Sequence, residues 1–335
     1  MSAQNESFQP PPPPSVEASP RAPRPTKLRP VAIAFFVIGL ILVGTGIARV
    51  IPGGISTGAM LAVWGIILGA FSFIPLPVVP DTEEAPMSFL GKIAGIFFEP
   101  TRVFRNLRVH PHWLGAFLVI VVLTTIYSFA FVQRITAERI VDHMTTKMSE
   151  MGPPFAPPQE QIERMKTDQL TALKNPFERM GTVIKSAAGL FIVAAIGAAL
   201  CLLGVLAFGG RINYWQTLCV VFYAWLPMTV IQKVLGLVIL YLKAPEDLHP
   251  ILNQETTLQD NLGILFSPAA NPVLFVLASF IGLTWFYFVW LRAKGLNNAG
   301  YRVGSGAAWG VSITLYLAFM ILVTVWTSLF PGFIA

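Results

Sequence analysis

Arg211 to Lys243, RINYWQTLCVVFYAWLPMTVIQKVLGLVILYLK, is apolar for about thirty residues, more than the roughly twenty that a bilayer core requires. The stretch reads as a membrane helix with two anomalies. Pro227 has no N–H, and its ring clashes with the carbonyl four residues earlier, that of Tyr223. A kink there would free the Tyr223 C=O at membrane depth, where it needs a partner. Lys233 lies ten residues before the end of the stretch, about 15 Å deep at 1.5 Å per residue. A lysine at the bilayer centre costs roughly 2.5 to 3.5 kcal/mol, so Lys233 should face a protein interior or a wet cavity, with Gln232 beside it. Two readings stay open: a kinked structural helix with a snorkelling lysine, or a hinge or cavity built on Tyr223, Pro227, Gln232 and Lys233.

The rest of the chain fits the same solvent. Of 335 residues, 54% are apolar and 12% charged, and the mean hydropathy is +0.65. Soluble chains carry about 25% charged residues, so the fold class is an all-α polytopic membrane protein. Residues 1–30 form a Pro-rich polar tail suited to polyproline II rather than to a core. A two-helix transmembrane hairpin follows over 31–80, in which Gly65 and Gly69 form a small-xxx-small pair for close helix approach. Met87 to Val109 is too charged to span. Its apolar residues recur at helical spacing with Lys92, Arg102, Arg105 and Arg108 on other faces, and Pro100 splits it in two. It reads as an interfacial helix on an anionic leaflet, with packing on the protein's own loops as the alternative. Further spans are expected at Trp113 to Val132, Ser186 to Phe208, the Pro227 helix, Asn271 to Leu291 and Gly304 to Leu329, giving about seven. Residues 134–185, with eight positive and seven negative side chains and prolines at 153, 154, 157 and 158, form an extramembrane polar hairpin. Arg292 to Arg302 reads as a basic loop.

The Tyr-Ala-x-x-Pro block at 223–227, with its aromatic entry Tyr214-Trp215, resembles the middle of the Yip-one (Ypt-interacting protein) domain. NLRVHPHWLGAFL at 106–118 and WFYFVWLRAKGLNNAGYRVGSGAA at 285–308 resemble the same family, and the likeness covers roughly residues 88–330. It implies a five-helix bundle with a cytosolic start and an exterior end, preceded here by two extra spans. The prokaryotic branch is the better match. Eukaryotic members enter the first span with Asp-Leu-x-Gly-Pro, where this chain has His110-Pro111-His112-Trp113, and carry Gly before the mid-helix Tyr, where it has Phe222. Both departures count against Rab-type GTPase binding.

Lysine and arginine bias sets the orientation. With the N-terminus inside, inner segments carry twelve such residues and short outer ones carry Arg49 and Lys243. The N-terminus is therefore cytoplasmic and the 134–185 hairpin outside; in a bacterium the membrane would be the plasma (inner) one. Net charge is +6, spread along membrane ends, which suits lipid headgroups and not nucleic acid. Cys201 and Cys219 have neither disulfide nor metal spacing and should be reduced thiols. His110-Pro111-His112 is stiffened by its proline and has no carboxylate cluster near, so no metal or other cofactor is expected. No nucleotide, zinc or nucleophile motif appears, and the chain is expected to be no enzyme. The expected function is membrane organisation or binding of a protein partner through the Pro-rich tail or the outer hairpin. A small-solute or ion transporter using Pro227 and Lys233 is the alternative; it would call for a second intramembrane ionisable residue or paired broken helices.

Overall fold

A computed structural model describes residues 26, 28–48, 50–51, 53–76, 85–150, 158–251, 253, 257–268 and 270–329. The tail through Pro25 and the Pro153–Pro157 break of the outer hairpin lie outside them. Among the described residues there are twelve α-helices and no strands. Six helices are long and apolar enough to cross a membrane: α1 (Leu28–Ile47), α2 (Gly54–Phe71), α5 (Leu114–Ile135), α8 (Pro176–Ala207), α9 (Tyr214–Leu242) and α12 (Ser305–Leu329).

The sixth expected span, Asn271 to Leu291, is broken. α10 (Pro272–Ser279) stops before Gly282, and α11 (Leu283–Ala299) starts after it. The physical cause is a strip of chain that intrudes on the helical ladder. Leu262 N–H donates to Ile281 O at 3.0 Å, and Leu283 N–H donates to Asp260 O at 3.3 Å. Gly282 permits the approach, because a Cβ there would meet Asn261 Cβ at 2.8 Å. The freed Phe280 carbonyl accepts from the Tyr316 hydroxyl, as a carbonyl cut loose at membrane depth must. α11 then runs antiparallel to α9, from Thr284 beside Gln232 to Tyr301, whose N–H and C=O pair with those of Arg211. It also continues through Arg292 and Lys294, where a loop was expected, because Leu291, Ala293, Gly295, Leu296 and Ala299 are all buried against neighbouring helices.

α3 (Phe89–Phe98) and α4 (Pro100–Val109) divide at Pro100, as the sequence indicates. Ser88 caps α3 by accepting the Gly91 N–H, and Pro100 opens α4 at a position where its missing N–H is harmless. Val103, Phe104 and Leu107 of α4 are fully buried, so its apolar face is taken by α9 and α11. The exposed apolar residues of this segment lie instead on α3, at Phe89, Leu90 and Phe98. α6 (Ala137–Glu150) and α7 (Gln159–Lys174) form the polar hairpin.

The N-terminal pair packs closely, through one of the two glycines singled out, Gly65, and not through Gly69. A Cβ on Gly69 would meet only Ala32 Cβ, at 4.0 Å, whereas one on Gly58 or Gly65 would lie 2.5–2.7 Å from α1 backbone. The seam joins Gly58 and Gly65 to α1 at Gly39 and Phe36. α2 then docks on the bundle through aromatic rings. Trp64 lies 4.8 Å from Phe191 of α8, and Phe191 also touches Phe71, Trp113, Phe117 and Phe222. Phe191 and Phe222 have no exposed surface.

Candidate functional site

Two layers of polar contacts converge on α9. Its start is fixed by a capping box. Asn213 accepts the Trp215 N–H at 2.9 Å, and Gln216 Oε1 accepts the Asn213 N–H at 2.8 Å. The same Gln216 amide donates to Arg108 O at 2.7 Å, tying the end of α4 to the start of α9. Helicity continues past Pro227 to Leu242 without interruption.

One polar layer lies where α3 and α5 meet α9. The Tyr223 hydroxyl donates to the His112 carbonyl at 3.3 Å. His112 Nδ1 faces Lys92 Nζ at 3.5 Å and the His110 carbonyl at 3.0 Å. With a proton, Nδ1 serves that carbonyl; without one, it accepts from the ammonium. Lys92 is therefore not the lipid-facing residue expected. It is 3% exposed, because the short α3 packs it inward over α9. Burial lowers its pKa below the usual lysine value, with the Cys219 thiol opposing slightly. Burial likewise lowers that of His112, against the pull of the His110 carbonyl, and Lys92 and His110 push the same way. Arg102 and Arg105 do point outward, Arg102 pairing with Glu99 at 3.2 Å. Arg108 lies half-buried over the Tyr301 ring.

A second layer sits about 15 Å further along α9. Lys233 is 6% exposed, and its ammonium lies 4.8 Å from the centre of the Tyr127 ring on α5. That geometry gives a cation–π attraction of about 2 kcal/mol when desolvated, a large part of the cost of a lysine at this depth. Gln232 turns the other way and donates to Thr284 Oγ1 at 3.3 Å. Thr284 N–H, at the start of α11, donates to Asp260 Oδ2 at 2.9 Å. Thr257 Oγ1 donates to the Gly236 carbonyl at 2.6 Å. Of the four residues singled out on α9, the fold thus joins Gln232 and Lys233 in one layer. Tyr223 belongs to the other, and Pro227 lies buried between them.

Sequence reasoning missed Tyr127, Thr257, Asp260 and Thr284, which are ordinary residues until the chain folds. Arg292 it placed in a loop. It is 8% exposed, lies over Phe288, and donates to the Ser312 carbonyl of α12, while its Nε and the Ser312 hydroxyl have no hydrogen-bond partner among the described residues. Cys201 and Cys219 are free, buried thiols. Among the described residues no cluster of three metal-ligating side chains occurs.

An amphipathic pair, a span, a polar hairpin, two long spans and a closing pair follow one another in a fixed order, and the Yip1 domain profile matches them over residues 94–327. The chain belongs to the Yip1 domain family. Comparison with curated proteins and with solved structures finds no match. The Yip1 domain of this chain begins inside α3 and ends near the close of α12, leaving α1 and α2 outside it. Gly295, within the stretch that carried the resemblance, marks where three helices of the Yip1 domain meet. A Cβ there would lie 2.6 Å from Val220 of α9 and 3.0 Å from Phe104 of α4.

Proposed function

We propose that this multi-pass Yip1-domain protein is not an enzyme, and that it organises membrane or binds a protein partner, with the outer hairpin as docking surface. The observation that supports this is α7. None of its residues is buried, yet Lys166–Asp142 and Lys174–Glu138, both at 2.6 Å, hold it against α6. Ion pairs this exposed contribute about 0–1 kcal/mol, so α7 adds little to the bundle and offers a held, charged face. The N-terminus is cytoplasmic and the hairpin exterior, in the inner membrane if the cell is bacterial. A cysteine at Ser149 should then react with an impermeant maleimide in intact cells. A photo-crosslinking residue at Arg164 should yield one defined protein adduct, lost in Lys166→Glu/Lys174→Glu. The same residue at lipid-facing Leu203 should yield none. Equal adducts at both sites, or none at Arg164, would overturn the docking role.

The α10–α11 break, with Asp260 at the start of α11, and the buried Arg292 favour a second reading, a small-solute or ion transporter using Pro227 and Lys233. Proteoliposomes with entrapped proton- and potassium-sensitive dyes test its ion-carrying form. Flux abolished by Pro227→Ala and Lys233→Met would support it, and flux no greater than in empty vesicles would dismiss it.

A further inference from the structure

Outside the spans, the loop after α9 lies over α6 and borders an open cavity of about 780 Å3. Arg139 of α6 holds the loop by three main-chain carbonyls, those of Pro245, Glu246 and Leu248, and Arg134 holds that of Lys243. A further contact brings two titratable rings together. His143 of α6 and His249 of the loop stand edge to face, with ring centroids 4.9 Å apart.

We infer that His143 and His249 form a proton-binding site that keeps this loop on α6 when neutral and releases it when protonated. Three facts carry the inference. His249 Nδ1 accepts the Ile251 N–H at 3.2 Å, so its neutral ring carries the proton on Nε2. A second proton must go on Nδ1, where it removes that acceptor. Two imidazolium rings at this spacing also repel, on a wall that already holds Arg139 and within reach of the Lys147 charge on α6. Last, His249 N–H donates to Asn253 Oδ1 at 2.7 Å, and the Asn253 carbonyl accepts the Tyr127 hydroxyl at 2.6 Å. Tyr127 is the residue whose ring carries Lys233. The turn that the proton breaks is therefore the one that steadies the partner of the intramembrane lysine.

The other charges around the cavity do not reverse the sign. Glu138 and Asp142 are engaged by Lys174 and Lys166 of α7. Glu246 and Asp247 lie on the loop itself, at the cavity rim. Burial, followed by His143, Lys147 and Arg139, holds the His249 pKa below 6.5. A histidine whose pKa is depressed in the closed state binds fewer protons closed than open. Closure is then fully favoured above the ordinary value of 6.5 and weakens as pH falls below it.

Hydrogen exchange read by mass spectrometry on the full-length protein in nanodiscs tests this. After correction for intrinsic rates, protection across residues 244–253 should fall roughly tenfold between pH 7.5 and pH 5, the direction that a depressed histidine pKa in the closed state requires. His143→Gln leaves every bond of the 249–253 turn in place and should show a clearly smaller fall. His143→Gln/His249→Gln should show almost none. Protection across 218–228, buried in α9, should not move. The inference is overturned by unchanged protection in the wild type, by an equal fall in either variant, or by a matching fall across 218–228.

Discussion

Gly58→Ala and Gly44→Ala are the same chemical change, one methyl group on one hydrophobic hairpin, and the structure gives them opposite signs. At Gly58 the new Cβ would lie 2.5 Å from Gly39 O, 2.6 Å from Val43 N and 2.9 Å from Leu42 Cβ. Two of these neighbours are backbone and cannot rotate away. Restoring ordinary contact near 3.5 Å parts the two helices by roughly 1 Å, and a gap of that size forfeits about a quarter to a half of the dispersion attraction along the seam. Overpacking of this kind costs about 1–3 kcal/mol. The seam has little else to offset the loss, since lipid tails are as apolar as the helix faces. At Gly44 nothing lies within 4 Å, and alanine there should gain about 0.5–1 kcal/mol by restricting the unfolded backbone. Trp64, one of eight tryptophans, packs 4.8 Å from Phe191, so tryptophan emission follows the unfolding of the bundle with α2 docked on it. Thermal unfolding in micelles, followed by tryptophan fluorescence, should separate the variants by several degrees, Gly58→Ala melting below the wild type. Indistinguishable melting curves would refute the close-packed hairpin.

Arg292→Met should raise stability by about 1–3 kcal/mol, because it removes a buried charge with an unpartnered Nε and fills the space with apolar atoms; a drop on chemical denaturation would reveal a favourable partner for the guanidinium. Tyr316→Phe takes away the donor that satisfies the Phe280 carbonyl at the helix break and should cost about 1–2 kcal/mol, whereas an unchanged melting temperature would mean that the break is watered. Lys92→Met should stabilise by about 1 kcal/mol at pH 7. The folded state holds the Lys92 amine below its usual pKa, so wild-type stability rises between that lowered value and about 10.5, and melting curves from pH 7 to pH 10 should show this rise flattened in Lys92→Met.

What was legible in the sequence was what depends on neighbours along the chain. Helical spacing in 87–109, the Pro100 split and the length of the Arg211–Lys243 stretch all survive folding, because burial of one face and a missing N–H act locally. Lys233 was legible as a buried lysine because its cost is set by depth alone. Its answer, Tyr127, was not, since nothing marks one tyrosine in an apolar span until α5 lies against α9. The break at Gly282 was hidden for a similar reason. Phe280-Ile281-Gly282 resembles ordinary span, and the strip that splits it, Asp260 to Leu262, lies about twenty residues away in the sequence. Lys92 was misplaced because an amphipathic pattern does not say which of two apolar phases, lipid or protein, takes the buried face. Of the Gly65–Gly69 pair only Gly65 lies in the seam, because i, i+4 spacing assumes one crossing geometry, and this seam pairs Gly65 with Gly58, seven residues earlier.

The ring cluster around Phe191 separates two notions of a module. The inherited unit, by family match, spans residues 94–327. The cooperative unit does not respect that border, because Trp64 and Phe71 from before it close the same cluster as Trp113, Phe117 and Phe222 from within it. An excised inherited unit would present those inner rings to lipid along α5 and α8, trading fitted aromatic packing for fluid acyl chains. Relatives that lack such a leading hairpin must seal that face in another way. Where they do so with smaller side chains, the residues matching Phe117 and Phe191 should shrink together.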